Sequence, residues 1–88
     1  MVKLVLPSVW HVDGQHTFEV PAGPLPAIIK GLVEANPSLR RRLLGPDGEP
    51  AGYINICVDE DLVPRQARAA TVVDAGSTVT IMPPMAGG

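Results

Sequence analysis

The stretch TVTIMPPMAGG, residues 78–88, decides the fold predicted for this chain. Residues 78–82 alternate in the two-residue period of a strand, which predicts that Val79 and Ile81 face a core. The two prolines that follow end the strand, because proline has no amide hydrogen to donate to a ladder. The last two glycines have no Cβ atoms and would form an arm thin enough for a narrow channel. A frayed terminus has the same composition, so the tail alone leaves both interpretations open.

Two strands are predicted near the start of the chain. Apolar residues alternate through residues 1–6, as in a half-buried strand. Asp13-Gly14 is a hairpin turn signal. Residues 15–20 then alternate again, with Phe18 and Val20 on one face. The two segments therefore predict an antiparallel pair.

A helix is predicted next. The apolar residues after Pro24 recur at helical spacing and form one stripe, made of Leu25, Ile28, Ile29, Leu32 and Val33. Asn36-Pro37 ends the helix, because a residue before proline disfavours the helical conformation. Ser38 is predicted to cap a short further turn. Close packing against Gly31 would be one reason for a glycine inside the helix.

The second half of the chain predicts two or three more strands. Residues 53–58 alternate strongly after an irregular loop at 45–52, and residues 62–63 form a short returning strand. One helix laid on one face of a mixed sheet buries both apolar surfaces. The helical excursion allows the first and last strands to pair in parallel as central neighbours.

These elements predict an α+β fold of the β-grasp type, with a mixed four- to five-stranded sheet and one main helix packed on one face. We expect a single domain over residues 1–83 and an extended, flexible C-terminal tail over residues 84–88.

Charge and composition argue against several classes of protein. The net charge of −2 gives no general attraction to nucleic acid or to an anionic membrane. The single cysteine excludes a disulfide within the chain. No apolar run approaches the ~20 residues that cross a bilayer, and the first residues lack a signal-peptide pattern. We therefore expect a soluble cytoplasmic protein without a nucleic-acid or membrane partner.

The histidines, the cysteine and the acidic run do not match a catalytic or metal site. His11 and His16 have no third ligand nearby in sequence, whereas a zinc site needs three or four. Cys57 has no evident base or positive neighbour, which favours a partly buried structural cysteine. The acidic residues 59–61 lack the spacing of a calcium loop and predict a solvated turn. No bound metal is expected.

The arginines offer a weak case for phosphate binding. Residues 40–42 are three arginines in succession, and Arg65 and Arg68 lie further along. Such a run is typical of a solvated face, and the chain has one Trp, one Tyr and one Phe to stack on bases. The α-carboxylate of Gly88 is then the one group left with a clear chemical use.

The chain resembles a known family over its whole length. Residues 74–88 resemble the closing motif of the MoaD/ThiS sulfur carriers, which are small ubiquitin-like β-grasp domains ending in Gly-Gly. Residues 53–59 resemble the family's middle strand. Ser77 and Met85 depart from the pattern, since an acidic residue and valine are common there. The longer loop at 45–52 resembles carriers that feed cysteine synthesis or sulfur-containing natural products.

The resemblance implies a sulfur-transfer cycle at the tail. An adenylyltransferase of the MoeB/ThiF type would use ATP and magnesium to adenylate the carboxylate of Gly88. A sulfur donor would then leave a thiocarboxylate for a sulfur-accepting synthase. The acceptor would be cysteine, molybdopterin, thiamin or a secondary metabolite. The carrier would bind no cofactor and would be a co-substrate rather than an enzyme. The residues that form the tail and bind the partner would be Pro83, Pro84, Met85, Ala86 and Gly87.

Two alternatives remain beside the sulfur carrier. In one, the chain is a protein modifier whose Gly88 forms an isopeptide bond with lysine. In the other, it is a non-covalent binding module that docks through its sheet face, and the tail is incidental.

Overall fold

A mixed five-stranded sheet is the main feature of the computed structural model, which describes residues 1–83. In chain order the strands are β1 (Val2–Val5), β2 (Thr17–Val20), β3 (Gly23–Pro24), β4 (Asn55–Val58), β5 (Asp61–Leu62), β6 (Val72–Val73) and β7 (Thr78–Met82). The sheet order is β2-β1-β7-β4-β5, and β3 pairs with β6 separately. β1 and β7 are parallel, while the other neighbours in the sheet are antiparallel. The predicted β-grasp fold, with parallel first and last strands at its centre, is confirmed.

One helix covers the sheet. Within residues 1–83 the helices are α1 (Leu25–Ala35) and α2 (Arg40–Leu43), with 3₁₀ turns at Ser8–Trp10, Pro37–Leu39 and Arg65–Ala70. All five apolar residues of the predicted α1 stripe are buried. Pro26 is tolerated because it lies in the first turn, where its missing amide would have no partner. The helix ends at Asn36, whose amide and side chain both donate to the carbonyl oxygen of Leu32.

The core lies between α1 and the inward face of the sheet. The sheet residues in it alternate along their strands and include Val2, Leu4, Phe18, Val20, Ile56, Val79 and Ile81. Strand alternation and helical spacing therefore meet in one apolar cluster, as the sequence predicted.

Three local predictions are wrong. Strand β4 begins at Asn55 rather than at Tyr53, because Tyr53 lies in a turn in which the amide of Ile54 donates to the carbonyl oxygen of Ala51 at 3.4 Å. The Tyr53 hydroxyl donates to the carbonyl oxygen of Arg41 at 2.8 Å. Ser38 does not cap a turn: the 3₁₀ turn starts at Pro37, with no capping side chain. No close packing surrounds Gly31, since a Cβ built there meets no atom within 4 Å.

Candidate functional site at the end of strand β7

Strand β7 leads the chain to the predicted tail from the centre of the sheet. Val79 and Ile81 are buried, and Met82 pairs with Asn55 at the start of β4. Pro83 follows and is exposed. The remaining predicted site residues, 84–88, lie outside the described residues. The structure thus fixes the base of the tail on a strand that is held on both sides.

The face of the sheet opposite α1 carries one row of side chains across all five strands. The strand registers align Thr17, Val5, Thr80, Cys57 and Leu62. The first four are half-buried, and Leu62 is 60% exposed. Cys57 is partly buried, as predicted. This row reaches β7 two residues before its end, so a protein docked on this face would lie beside the tail.

Helix α2 lies at the end of the sheet where β7 stops. The 3₁₀ turn that ends at Trp10 follows β1, and the guanidinium of Arg42 lies 5.3 Å from the centre of the Trp10 ring. Tyr53, just before β4, bonds to the α2 backbone. Because β1 is parallel to β7 and β4 begins opposite Met82, both contacts place α2 near the point where the tail leaves. The arginines of α2 are exposed, as predicted.

Arg68 is buried, which contradicts its grouping with possible phosphate contacts. Its side chain is 7% exposed, with Nη1 donating to the carbonyl oxygen of Ala51 at 3.0 Å and Nη2 to that of Ile54. Burial lowers the pKa of Arg68, and the neighbouring charge of Arg65 lowers it further. Arg68 therefore holds the loop before β4 in place. No local pattern in the sequence distinguished it from an exposed arginine.

The histidines, the cysteine and the acidic residues do not form a metal site in the part of the chain that the structure describes. His11 accepts a hydrogen bond at Nδ1 from the amide of Gly14 in the β1–β2 loop. In residues 1–83, no three His, Cys, Asp or Glu side chains come together as a metal site would require.

A groove of about 520 Å³ lies between β2 and α1, and Glu19 is the only ionisable side chain among the described residues that line it. That groove therefore lacks the paired groups that acid–base chemistry needs.

None of the helices within residues 1–83 is both long and apolar enough to cross a membrane.

Comparison with known proteins places the chain in a family. The sequence model of the ThiS family matches residues 19–88, from β2 through the tail. The chain belongs to the ThiS family. The resemblance to the MoaD/ThiS carriers is therefore confirmed. The sulfur carrier protein CysO of Mycobacterium tuberculosis is 36% identical over 92 aligned residues, which cover 99% of this chain and 98% of CysO.

Solved structures confirm the ubiquitin-like β-grasp fold. The crystal structure of M. tuberculosis CysO superimposes with a TM-score of 0.81 and 27% identity, covering 97% of this chain and 100% of that one. A chain of the Amycolatopsis orientalis BexX/CysO complex has a TM-score of 0.83, 24% identity and full coverage of both chains. SAMP1 of Haloferax volcanii has a TM-score of 0.80 and 26% identity, covering 99% of this chain and 98% of SAMP1. Family and fold together support a sulfur-carrier role, which is that of a small carrier protein rather than a catalyst.

Proposed function

We propose that this ThiS-family protein carries sulfur as a thiocarboxylate on the C-terminal carbon of Gly88. The observation that carries the proposal is the position of β7, which pairs with β1 through Thr80 and with β4 through Met82. The exposed Pro83 follows it. Because the fold fixes the chain as far as the end of β7, it also fixes the place from which residues 84–88 start. Side chains in residues 1–83 form no group of three or more His, Cys, Asp or Glu that could hold a metal ion.

The chemistry takes place on the carboxylate, and partner enzymes supply the catalysts. An oxygen of the Gly88 carboxylate attacks the α-phosphorus of ATP, and pyrophosphate leaves. The acyl adenylate makes the carbonyl carbon electrophilic, because AMP is a good leaving group. A sulfide nucleophile attacks that carbon, AMP leaves, and the sulfur stays as the thiocarboxylate. A MoeB/ThiF-type adenylyltransferase with magnesium performs the first step, and a sulfur-accepting synthase consumes the product.

Chain length is sufficient for this delivery. Residues 84–88 can reach about 17 Å when extended, at ~3.3–3.6 Å per residue. The carboxylate can therefore enter a buried site while the globular body stays outside. Pro83 and Pro84 restrict the backbone at the base of the arm, and the glycines at 87 and 88 admit the tip to a narrow channel. The crystal structure of A. orientalis CysO in complex with BexX supports docking of such a carrier on a partner protein.

The test is the intact mass of the protein after incubation with its MoeB/ThiF-type enzyme, ATP, magnesium and sulfide. We expect the mass change of one sulfur-for-oxygen exchange, located to Gly88 by fragmentation. Deletion of Gly88 should abolish the change, whereas Glu34→Gln, at an exposed position of α1, should leave it intact. A wild-type chain that never gains the mass, or a Gly88 deletion that still gains it, would refute the proposal.

A second candidate function is protein modification through an isopeptide bond from Gly88 to lysine. The observation that favours it is the likeness to H. volcanii SAMP1, a small archaeal modifier protein. The last trypsin site in the chain is Arg68, so a tryptic digest would leave residues 69–88 on the modified lysine. An Ala86→Arg variant would shorten that remnant to Gly-Gly. Absence of both remnants from a lysate that contains each protein would exclude this role.

A further inference from the structure

We propose that Arg40, Arg41 and Arg42 form a basic collar near the end of strand β7, and that this collar docks on an acidic surface at the mouth of the activating enzyme's adenylation site. The inference rests on the proposed sulfur-carrier function. It assigns to the body of the protein a contact that the tail alone would not make.

The collar is held in a defined position. Leu39 and Leu43, on either side of the three arginines, are buried and anchor α2 to the core. The Tyr53 hydroxyl lies 2.8 Å from the carbonyl oxygen of Arg41 and 3.3 Å from that of Arg42. The guanidinium of Arg42 lies over the Trp10 ring, 5.3 Å from its centre. Side chains on a fixed backbone lose less conformational freedom when a partner binds, which favours their use in docking.

The collar has no acidic partner within the described part of the chain. Between residues 1 and 83, Lys30 and Glu49 form the one ion pair with a nitrogen–oxygen distance within 4.0 Å. Three like charges on adjacent residues repel one another, and no carboxylate in that range lies within 4.0 Å of their guanidinium nitrogens. An external anionic surface would therefore be bound favourably.

Acidic residues gather at the other end of the sheet. Asp59 accepts a hydrogen bond from the amide of Thr78, where β7 begins. Glu60 follows it in the β4–β5 turn, and Asp61 is the first residue of β5. Asp74 lies just before β7 in the turn closed by Ser77. β7 separates this acidic end from the tail by about 13 Å, at ~3.3 Å per strand residue. These four carboxylates therefore lie at the start of β7, whereas α2 lies near its end.

The activating enzyme is the partner that this arrangement suits. Its site holds ATP when the tail enters, so the Gly88 carboxylate approaches a strongly negative triphosphate. A basic collar outside the channel offsets that repulsion by attraction to acidic side chains at the entrance. Complementary charges near an interface also raise the rate of encounter and fix its orientation. The active site of a sulfur-accepting synthase need not hold ATP, so the tail would not meet a triphosphate there.

The test is ATP–pyrophosphate exchange by the MoeB/ThiF-type enzyme of the same organism, with the carrier as the varied substrate. Arg40→Gln/Arg41→Gln removes two charges and leaves Arg42 on Trp10. The control, Lys30→Gln/Gln66→Glu, makes the same net charge change away from the collar. We expect the collar variant to raise KM about three- to tenfold with kcat unchanged, as for a binding contact of two rim charges. The control should keep KM within about twofold of wild type.

Added salt and a conservative variant complete the design. Salt should raise KM for the wild type more than for the collar variant, because screening weakens only a charge contact that is present. Arg40→Lys/Arg41→Lys keeps both charges and should behave as wild type. Equal KM values for collar variant and control, or a fall in kcat alone, would overturn the collar while the sulfur-carrier function stands. A wild-type chain that supports no exchange would overturn the function, and the collar with it.

Discussion

Nη1 of Arg68 donates a hydrogen bond of 3.0 Å to the carbonyl oxygen of Ala51, across 17 residues of sequence. Nη2 of the same side chain donates to the carbonyl oxygen of Ile54. Both carbonyls belong to the segment that leads into β4, the strand that pairs with β7. The buried guanidinium of Arg68 therefore donates hydrogen bonds to two carbonyl groups in the segment that precedes β4.

We expect Arg68→Ala to lower the free energy of unfolding by about 2–4 kcal/mol. Two hydrogen bonds from a charged donor are lost, and the carbonyl oxygen of Ile54 loses the partner that Arg68 provides. Arg65→Ala is the matched control, because Arg65 is exposed and should change stability by about 0.5 kcal/mol or less. Urea denaturation followed by circular dichroism measures both. Equal effects of the two substitutions would show that the bonds of Arg68 do not stabilise the fold.

Gly31→Ala should stabilise the protein by about 0.5–1 kcal/mol. Glycine in a helix loses more backbone entropy than alanine, and a Cβ at this position meets no atom within 4 Å. Gly76→Ala is the contrasting variant, because Gly76 has a φ of +91°, where an added side chain is strained. Thermal unfolding should show opposite shifts in Tm. A lower Tm for Gly31→Ala would contradict the open space found around that residue.

The two faces of the sheet should respond differently to truncation. Ile56 in β4 is fully buried, so Ile56→Ala should cost about 2–5 kcal/mol through lost burial and a cavity. Leu62 in the adjacent β5 is 60% exposed, and Leu62→Ala should cost about 0.5 kcal/mol or less. Denaturant midpoints measured in parallel provide the comparison. A large loss of stability on truncating Leu62 would mean that the open face is covered in solution.

Deletion of Ala86 should reduce adenylation about tenfold or more while leaving stability unchanged. The deletion keeps both terminal glycines but shortens the arm by ~3.3–3.6 Å, and small displacements of reacting groups reduce rates steeply. The control is Ala86→Ser, which preserves length. Stability should not change because β7 ends at Met82. Normal adenylation of the shortened chain would show that the reach of the tail does not limit the reaction.

The regular elements were predictable because their cause is local. Alternation in residues 78–82 and the helical stripe that begins at Leu25 depend on side chains a few positions apart, so the sequence displays them directly. The parallel pairing of β1 with β7 followed from the helical excursion between them. The role assigned to Gly88 came from the likeness of residues 74–88 to a family, and the structure describes only the base of that segment.

The remaining features depend on contacts between distant residues. Arg68 stands in a segment without clear periodicity, and only the fold brings it beneath Ala51 and Ile54. Tyr53 continues a strand pattern in the sequence, yet it lies before β4, and its hydroxyl donates a hydrogen bond to the carbonyl oxygen of Arg41. The position of α2 beside the tail required Trp10, which lies some thirty residues earlier in the chain. Local periodicity carries no signal of such partners.

The central position of β7 has a consequence for biosynthesis. A ribosome makes β7 after every other strand of the sheet, yet β7 is the strand that joins the β2–β1 pair to the β4–β5 pair. A nascent chain therefore cannot close its sheet until the segment next to the tail has emerged. Truncated messenger RNAs would yield chains that lack β7. Such chains would remain unfolded and open to proteolysis. Partner enzymes would then seldom meet a folded body that lacks the strand from which the tail departs.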